Sequence, residues 1–367
     1  MSRKLASLRI INDIVAIPDA DKIHLLIIGG WQAVASKEEG HKVGDLIAYL
    51  EIDSFLDTSD PRFAFLEPRA INWNNLRGAR IKTIRLRGTL SQGLVLPLKH
   101  FPELMALDHF FCYKQALNED YVDVTELLGI KQWERIEKQP GFNAGNSRGN
   151  FPSFIQKTDQ SRLQGIVATV NRNSHAVYEK SVKLDGSSMT TYVVQKSSPY
   201  FALANKEGLE IDQVHGVASR NIDLKSDDAN SLFWQIARSS GAVDALIAQD
   251  KSIAIQGELI APSIQKNFEQ VSEPKYVIFS VFDIDKQEYL LPMEARRLVE
   301  GMGLEYVPIL GYVRLQDEFD SVADYLTAAE GPGAFGGPFR EGLVYKRLDK
   351  HFTFKTVSNS YLEKTGN

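Results

Sequence analysis

The chain has 367 residues, a formal net charge of −5, 43% hydrophobic residues and one cysteine. That length predicts two domains, each large enough for its own core, and the acidic balance excludes a nonspecific, charge-driven nucleic-acid binder, so nucleic-acid contacts must come from local patches. The lone Cys112 excludes an internal disulfide framework, makes no zinc site with the scattered histidines, and fits a reducing, intracellular compartment, cytoplasmic or nuclear.

The opening MSRKLASLRI leads straight into strand-like sequence, and no apolar run reaches the roughly 18 residues of a membrane span, so neither a transmembrane segment nor a secretory signal is expected. From Ile10 to Leu56 short apolar runs alternate with turns such as IPDAD and EEGHKVGD, and KTIRLRGTLSQGLVLPL adds two more strands. Short strands at regular spacing predict a five-stranded β-barrel of the OB type over residues 1–110. Arg80, Lys82, Arg85 and Arg87 fall in one segment, and with period two Arg85 and Arg87 share a strand face with Ile81 and Thr83. Such a row suits RNA phosphates and a solvated strand face equally well.

Residues 111–150 read as a helical connection followed by a linker, with Pro140 and Pro152 bounding a Gly/Asn/Ser stretch that contains Arg148. The remainder, 151–367, forms the second domain. VYEKSVKLDGSSMTTYVV reads as two strands of a hairpin turning at Asp185-Gly186. SLFWQIARSSGAVDALIAQ reads as two amphipathic helical segments, PMEARRLVEGMGL as a helix with proline at its start and glycine at its end, and GPGAFGGPF as a loop.

Lys183 beside that turn is the candidate nucleophile. A neutral lysine amine can attack the α-phosphate of a nucleotide, expel pyrophosphate and keep the nucleoside monophosphate as a phosphoamide. About one free lysine in a thousand is neutral at pH 7, so a site must lower its pKa, neutralise phosphates with cations and a divalent metal, and grip the base. SRNIDL offers Ser219 and Arg220, SIAIQGELIAP offers Glu258 beside Gly257, and YVIFSVFDI offers Phe279, Phe282 and Asp283. FREGLVYKR offers Glu341 and Lys346, and HFTFKTVSNSYL offers Lys355. Each alone has a dull explanation as core or surface; the ordered set does not.

KLDGSS, SRN, GELIAP, FSVFDI, EGLVYK and FTFK together resemble the six nucleotidyltransferase motifs of ATP-dependent ligases and mRNA capping enzymes, over roughly Phe151–Leu362. The resemblance implies an α+β protein whose ATP-grasp-like adenylyltransferase domain has antiparallel sheets and flanking helices. It implies that Lys183 becomes adenylylated and that Asp185, Glu258 and Glu341, with Asp283 as a further carboxylate, surround Mg²⁺ or Mn²⁺. Gly186, Ser188 and Arg220 would lie at the nucleotide, and Lys346 and Lys355 at its phosphates. Phe282 would stack on adenine, with Phe279 the fallback on the opposite strand face. Thr353 stands where many ligases carry a first motif V lysine, and Ser188 where relatives carry asparagine or arginine.

ADKIH and LSQGLVLPL resemble OB modules of tRNA-binding proteins and RNA ligases. An OB module placed before the transferase domain resembles the RNA ligases of the Deinococcus and Naegleria type, as does FPSFIQKTDQSRLQ. The implied activity is ATP-dependent joining of a 3′-hydroxyl to a 5′-phosphate RNA end, at nicks in a duplex. The rivals are a DNA ligase, a GTP-using capping enzyme, and an RNA-binding protein with a decayed transferase domain. The N-terminal OB module argues against capping, and the retained Lys183, Glu258, Glu341 and Lys346 against decay.

Overall fold

The computed structural model describes residues 4–105, 121–134, 147–226 and 230–365. In the N-terminal module the strand Ala6–Ile10 lies between Leu46–Leu50 and Val122–Asp123, with Leu94–Pro97 on the far side of Leu46–Leu50, all antiparallel. A meander of Asp13–Ala16, Ile23–Ile28 and Trp31–Ser36 buries His24, Leu26 and Ile28 at period two. The hairpin Thr83–Leu86 with Thr89–Gln92 lies along it, its Ser91 hydroxyl accepting the Val34 N–H at 2.9 Å. Leu26, Ile28, Trp31, Tyr49 and Val95 fill the space between these layers. A further sheet runs Lys131–Gln132, Ser54–Asp57, Leu76–Arg80, Ile71–Trp73. The ladders of this OB module are hydrogen-bonded as separate sheets rather than as one closed cylinder.

Three expectations change here. Arg87 does not continue the strand of Arg85: Arg87 and Gly88 have φ of 50° and 79° and form the hairpin turn, so the two arginines share no strand face. Arg85 is exposed and ion-paired to Glu363 at 2.6 Å. The stretch 121–134, read as part of a helical connection, instead contributes two short strands to the N-terminal sheets. Within the expected linker, Ser147–Asn150 pairs with Ile222–Leu224, and Arg148 donates to the Ala204 carbonyl at 3.1 Å. Cys112 and 135–146 lie outside the described residues.

The second domain is built on two sheets. Seven antiparallel strands run in the order Ser147–Asn150, Ile222–Leu224, Gln213–Ser219, Ser187–Gln195, Ile253–Ile260, Lys275–Asp283, Glu288–Tyr289. Five more run Ser161–Arg162, Thr353–Val357, Gly342–Arg347, Val177–Lys183, Ile309–Arg314, and only the first pair is parallel. Helices Leu232–Ser239, Ala242–Ile247 and Pro292–Gly301 pack on the larger sheet, burying Trp234, Leu246 and Val299 with Val217, Ile255 and Val277. Each such fully buried large side chain contributes about 1.5–3 kcal/mol. Val322–Ala329, opened by a Ser321/Asp324 capping box, covers the smaller sheet.

The predicted hairpin around Asp185-Gly186 is not one. Val177–Lys183 belongs to the five-stranded sheet and Ser187–Gln195 to the seven-stranded sheet, so the turn carries the chain across from one to the other. Glycine is needed at 186 because a Cβ there would sit 2.5 Å from the Leu259 carbonyl oxygen. The consequence is functional: Lys183 ends its strand at the mouth between two sheets rather than on a hairpin face.

The C-terminal helix Asn359–Thr365 ties the domains together. Its Tyr361 and Leu362 share one cluster with Leu5, Leu8, Leu50 and Phe63 of the N-terminal module. A second contact sets the Gly29-Gly30 turn against Gln164, where a Cβ on Gly30 would meet the Gln164 Cα at 2.7 Å. Among the described residues no helix is long and apolar enough to cross a membrane.

Candidate active site

Lys183, Asp185, Gly186, Ser188, Arg220, Glu258, Phe279, Glu341 and Lys355 all line one cleft of about 840 Å³. Strand register does this. Lys183 is the Cα partner of Gly342, which places Glu341 beside it, and Ser188 is the partner of Glu258. Gly257, next to Glu258, has no room for a side chain against the Val277 carbonyl, so two strands close up at the carboxylate.

The Lys183 Nζ donates to Glu341 Oε2 at 2.7 Å. Burial alone would pull the lysine's pKa down, but Glu341, Glu258 and Asp185 together outweigh it and hold the amine above its ordinary value. The expected lowering is therefore absent; the carboxylates keep the lysine charged. The carboxylates feel the converse. Burial pushes Glu258 up to about 8, against the attraction of Lys183 and with the repulsion of Glu341 and Asp185. Asp185 is pushed up to about 7 by burial and by Glu341, although Tyr361 donates to its Oδ1 at 2.9 Å. Its Oδ2 is buried without a hydrogen-bond partner. Among the described residues no three acidic or histidine side chains converge as a ready-made metal cluster.

Three assigned residues lie elsewhere. Phe282 is 1% exposed and packs against Phe154, Tyr192 and edge-on to Tyr289 at 5.0 Å, so it is core; of the two phenylalanines it is Phe279, half-buried on the other face, that lines the cleft. Asp283 points away from the cleft, accepting the Lys286 N–H at 3.0 Å. Lys346 is buried behind the cleft floor, bonded to the Phe279 carbonyl and 3.8 Å from Glu179. Of the four cations in the 80–87 segment, Arg80 and Lys82 reach the cleft while Arg85 and Arg87 do not.

The cleft also holds residues that the sequence did not single out. Trp73, Asn74, Trp133 and Glu134 come from the N-terminal module and its continuation. The Arg80 guanidinium lies 3.8 Å from the Trp133 ring centre and 2.7 Å from Asp53, which Arg162 approaches at 3.7 Å. Arg220 faces Glu134 at 3.5 Å, and Lys355 faces Asp159 at 3.9 Å. Glu269, 2% exposed, accepts the Ala334 N–H at 2.9 Å and so anchors the glycine-proline loop that leads to Glu341. It sits in QKNFEQVSEP, a stretch with no periodic pattern to flag it.

A family model described as an OB-fold domain matches residues 5–98, and one described as RNA ligase matches residues 177–358. The structure of a Naegleria gruberi RNA ligase variant with ATP and Mn is 37% identical, with a TM-score of 0.83, covering 99% of this chain and 98% of that one. The same ligase with PPi is 37% identical at a TM-score of 0.84, covering 99% of each chain. The chain belongs to the RNA ligase family. A further variant of the Naegleria ligase, with AMP and Mn, matches at 37% identity and a TM-score of 0.83 over 99% of each chain. No curated protein sequence matches the chain. As an RNA ligase the chain is an enzyme, and its OB-first order and antiparallel two-sheet domain agree with what the motifs implied.

Proposed function

We propose that this RNA ligase uses ATP to join a 3′-hydroxyl to a 5′-phosphate RNA end, through Lys183-AMP and then an adenylylated 5′ end, acting at nicks in duplexes inside the cell. The observation that carries the proposal is the place of Lys183 in a carboxylate-lined cleft, 2.7 Å from Glu341 and flanked by Glu258 and Asp185. That the Naegleria structures hold ATP, AMP, PPi and Mn supports the same nucleotide chemistry here.

The donor set fits a divalent cation by its chemistry: oxygen ligands only, mutually repelling, one with an unsatisfied buried oxygen. Asp185, Glu258 and Glu341 would hold Mg²⁺ or Mn²⁺, partly through water. The bound ion would supply charge stabilisation at the phosphates. The chain's own residues do the rest. Lys183, once its ammonium has given up a proton to solvent, forms the bond to the α-phosphorus as pyrophosphate departs. Its nitrogen takes a proton back and leaves as a neutral amine when the RNA 5′-phosphate takes the AMP, and the 3′-hydroxyl, losing its proton, displaces AMP. Ser188 and Arg220 contact the ribose or the RNA end, Lys355 and the Arg80/Lys82 wall the phosphates, and Phe279 stacks on adenine. Arg85 and Arg87, outside the cleft, are left to the RNA flank.

Nicked duplexes with RNA or DNA on the 3′-hydroxyl side, incubated with ATP or GTP and Mn²⁺, test this. Sealing should need ATP and an RNA 3′ side; sealing of all-DNA nicks at equal rate, or labelling by GTP, would move the reading to a DNA ligase or a capping enzyme. The aromatic assignment is separable. Phe279→Ala should raise the KM for ATP roughly tenfold, on the order of one stacking contact, with little loss of stability. Phe282→Ala should do the reverse, costing about 3–5 kcal/mol of unfolding free energy with KM unmoved.

A further inference from the structure

Lys346 is buried away from the cleft yet faces one buried carboxylate, Glu179, and its surroundings have a pattern. The strand Lys275–Asp283 pairs with Ile253–Ile260 through a register shift: Gln256 opposes Ser280, but Gly257 opposes Ile278. Phe279 is the extra residue of this bulge. A bulge takes a backbone carbonyl out of the ladder, and a buried carbonyl must find another donor. The Phe279 carbonyl finds two. Lys346 Nζ donates to it, and the Tyr306 hydroxyl lies within hydrogen-bonding reach at 3.3 Å. Tyr306 comes from the segment that pairs with Ile278 from outside, through the Val307 N–H to the Ile278 carbonyl at 2.7 Å.

Glu179 completes the cluster. It is fully buried, 3.8 Å from Lys346 Nζ, and 3.3 Å from the Tyr306 hydroxyl. Glu179 and Lys346 are direct cross-strand partners on the same strand pair that sets Lys183 beside Glu341. One register therefore fixes the nucleophile at one end and the bulge at the other. A charge-assisted bond to a carbonyl is stronger than a neutral one, which is a reason for a buried lysine here rather than a glutamine.

We propose that Glu179, Tyr306 and Lys346 form a buried clamp on the Phe279 carbonyl that sets the ring of Phe279 against the adenine, making all three positioning residues for the base. The inference rests on Phe279 being the base-stacking aromatic. It assigns Lys346 a place beneath the base, and it gives Glu179 and Tyr306 a function that no motif conveys.

The test compares lysine labelling by ATP with labelling by ribose 5′-triphosphate, which has the same phosphates and no base, each labelled at the α-phosphate. The full-length protein, Tyr306→Phe, Glu179→Gln and Phe279→Ala are measured alongside thermal unfolding. The clamp predicts that Tyr306→Phe and Glu179→Gln lower kcat/KM for ATP about tenfold, mostly through KM, and leave the base-free substrate within twofold. Tyr306→Phe removes one hydroxyl, so it keeps the test alive should the Glu179 variant fold poorly. Equal losses with both substrates would overturn the clamp, since the cluster would then serve the phosphates or the fold as a whole. Should the unmutated enzyme fail to prefer ATP, or Phe279→Ala cost nothing, the base-stacking reading itself falls, and the clamp with it.

Discussion

Lys183→Ala should take up no label from α-labelled ATP, a loss on the order of 10⁴-fold or more. The argument is positional. Judged by pKa alone another lysine is the better nucleophile, because burial, against the pull of Glu179, brings Lys346 down to about 8 whereas Lys183 is held above its ordinary value. But Lys346 is bonded behind the floor and lines no part of the cleft, while Lys183 faces it between three carboxylates. Position decides over acidity, since an amine that cannot approach phosphorus in line does not react. Lys183→Arg should be equally dead, because a guanidinium stays protonated. Both variants should still seal an RNA whose 5′ end is already adenylylated, because that displacement makes no bond to lysine. Covalent label on Lys183→Ala would place the nucleophile elsewhere; loss of sealing on the preactivated end would mean that the substitution damages the cleft rather than the first step.

What the sequence made legible was contiguous. KLDGSS, GELIAP and EGLVYK each put a cleft-lining side chain next to a glycine or a turn, and each glycine proves to sit where strands approach too closely for a Cβ. Features that depend on pairing between distant strands were hidden. The choice between Phe279 and Phe282 depends on which face of the strand meets the cleft, and nothing in YVIFSVFDI says which. Asp185-Gly186 has the composition of a hairpin turn, and only the two partner strands of each arm show that it bridges separate sheets. Arg87-Gly88 turns a hairpin without the asparagine or aspartate that would announce it, so the sequence alone runs the strand through it. Trp73 and Trp133 reach the cleft by domain docking, and Glu269 anchors the loop that leads to Glu341; neither arrangement has a sequence period.

Glu341→Gln should lower the rate of lysine adenylylation by about 10- to 100-fold at pH 7 with saturating Mn²⁺. Two effects oppose each other. Removing the charge 2.7 Å from Lys183 lets the amine lose its proton more easily, and a downward shift of one pKa unit gives about tenfold more neutral amine. The same change removes one oxygen from the proposed cation site, at about 3–4 kcal/mol or 10²–10³-fold. The second wins, and the pH–rate curve of the variant should shift to lower pH. Stability supplies an independent readout. Asp185 and Glu258 have folded pKa values of about 7 and 8, above the roughly 4 of the unfolded chain. The folded state therefore binds more protons between those limits, so metal-free stability is greatest below pH 4 on their account and declines as pH rises towards 8. Lys183 is charged in both states across that window and adds no slope. Glu341→Gln removes repulsion from both carboxylates, so its unfolding midpoint should fall less steeply from pH 5 to pH 8 than that of the unmutated enzyme. Mn²⁺ should raise the unmutated protein's midpoint more at pH 8 than at pH 5, because the carboxylates must ionise to bind it. Identical pH slopes in the two proteins, or a Mn²⁺ effect independent of pH, would show that Asp185, Glu258 and Glu341 do not act as one electrostatic unit around Lys183.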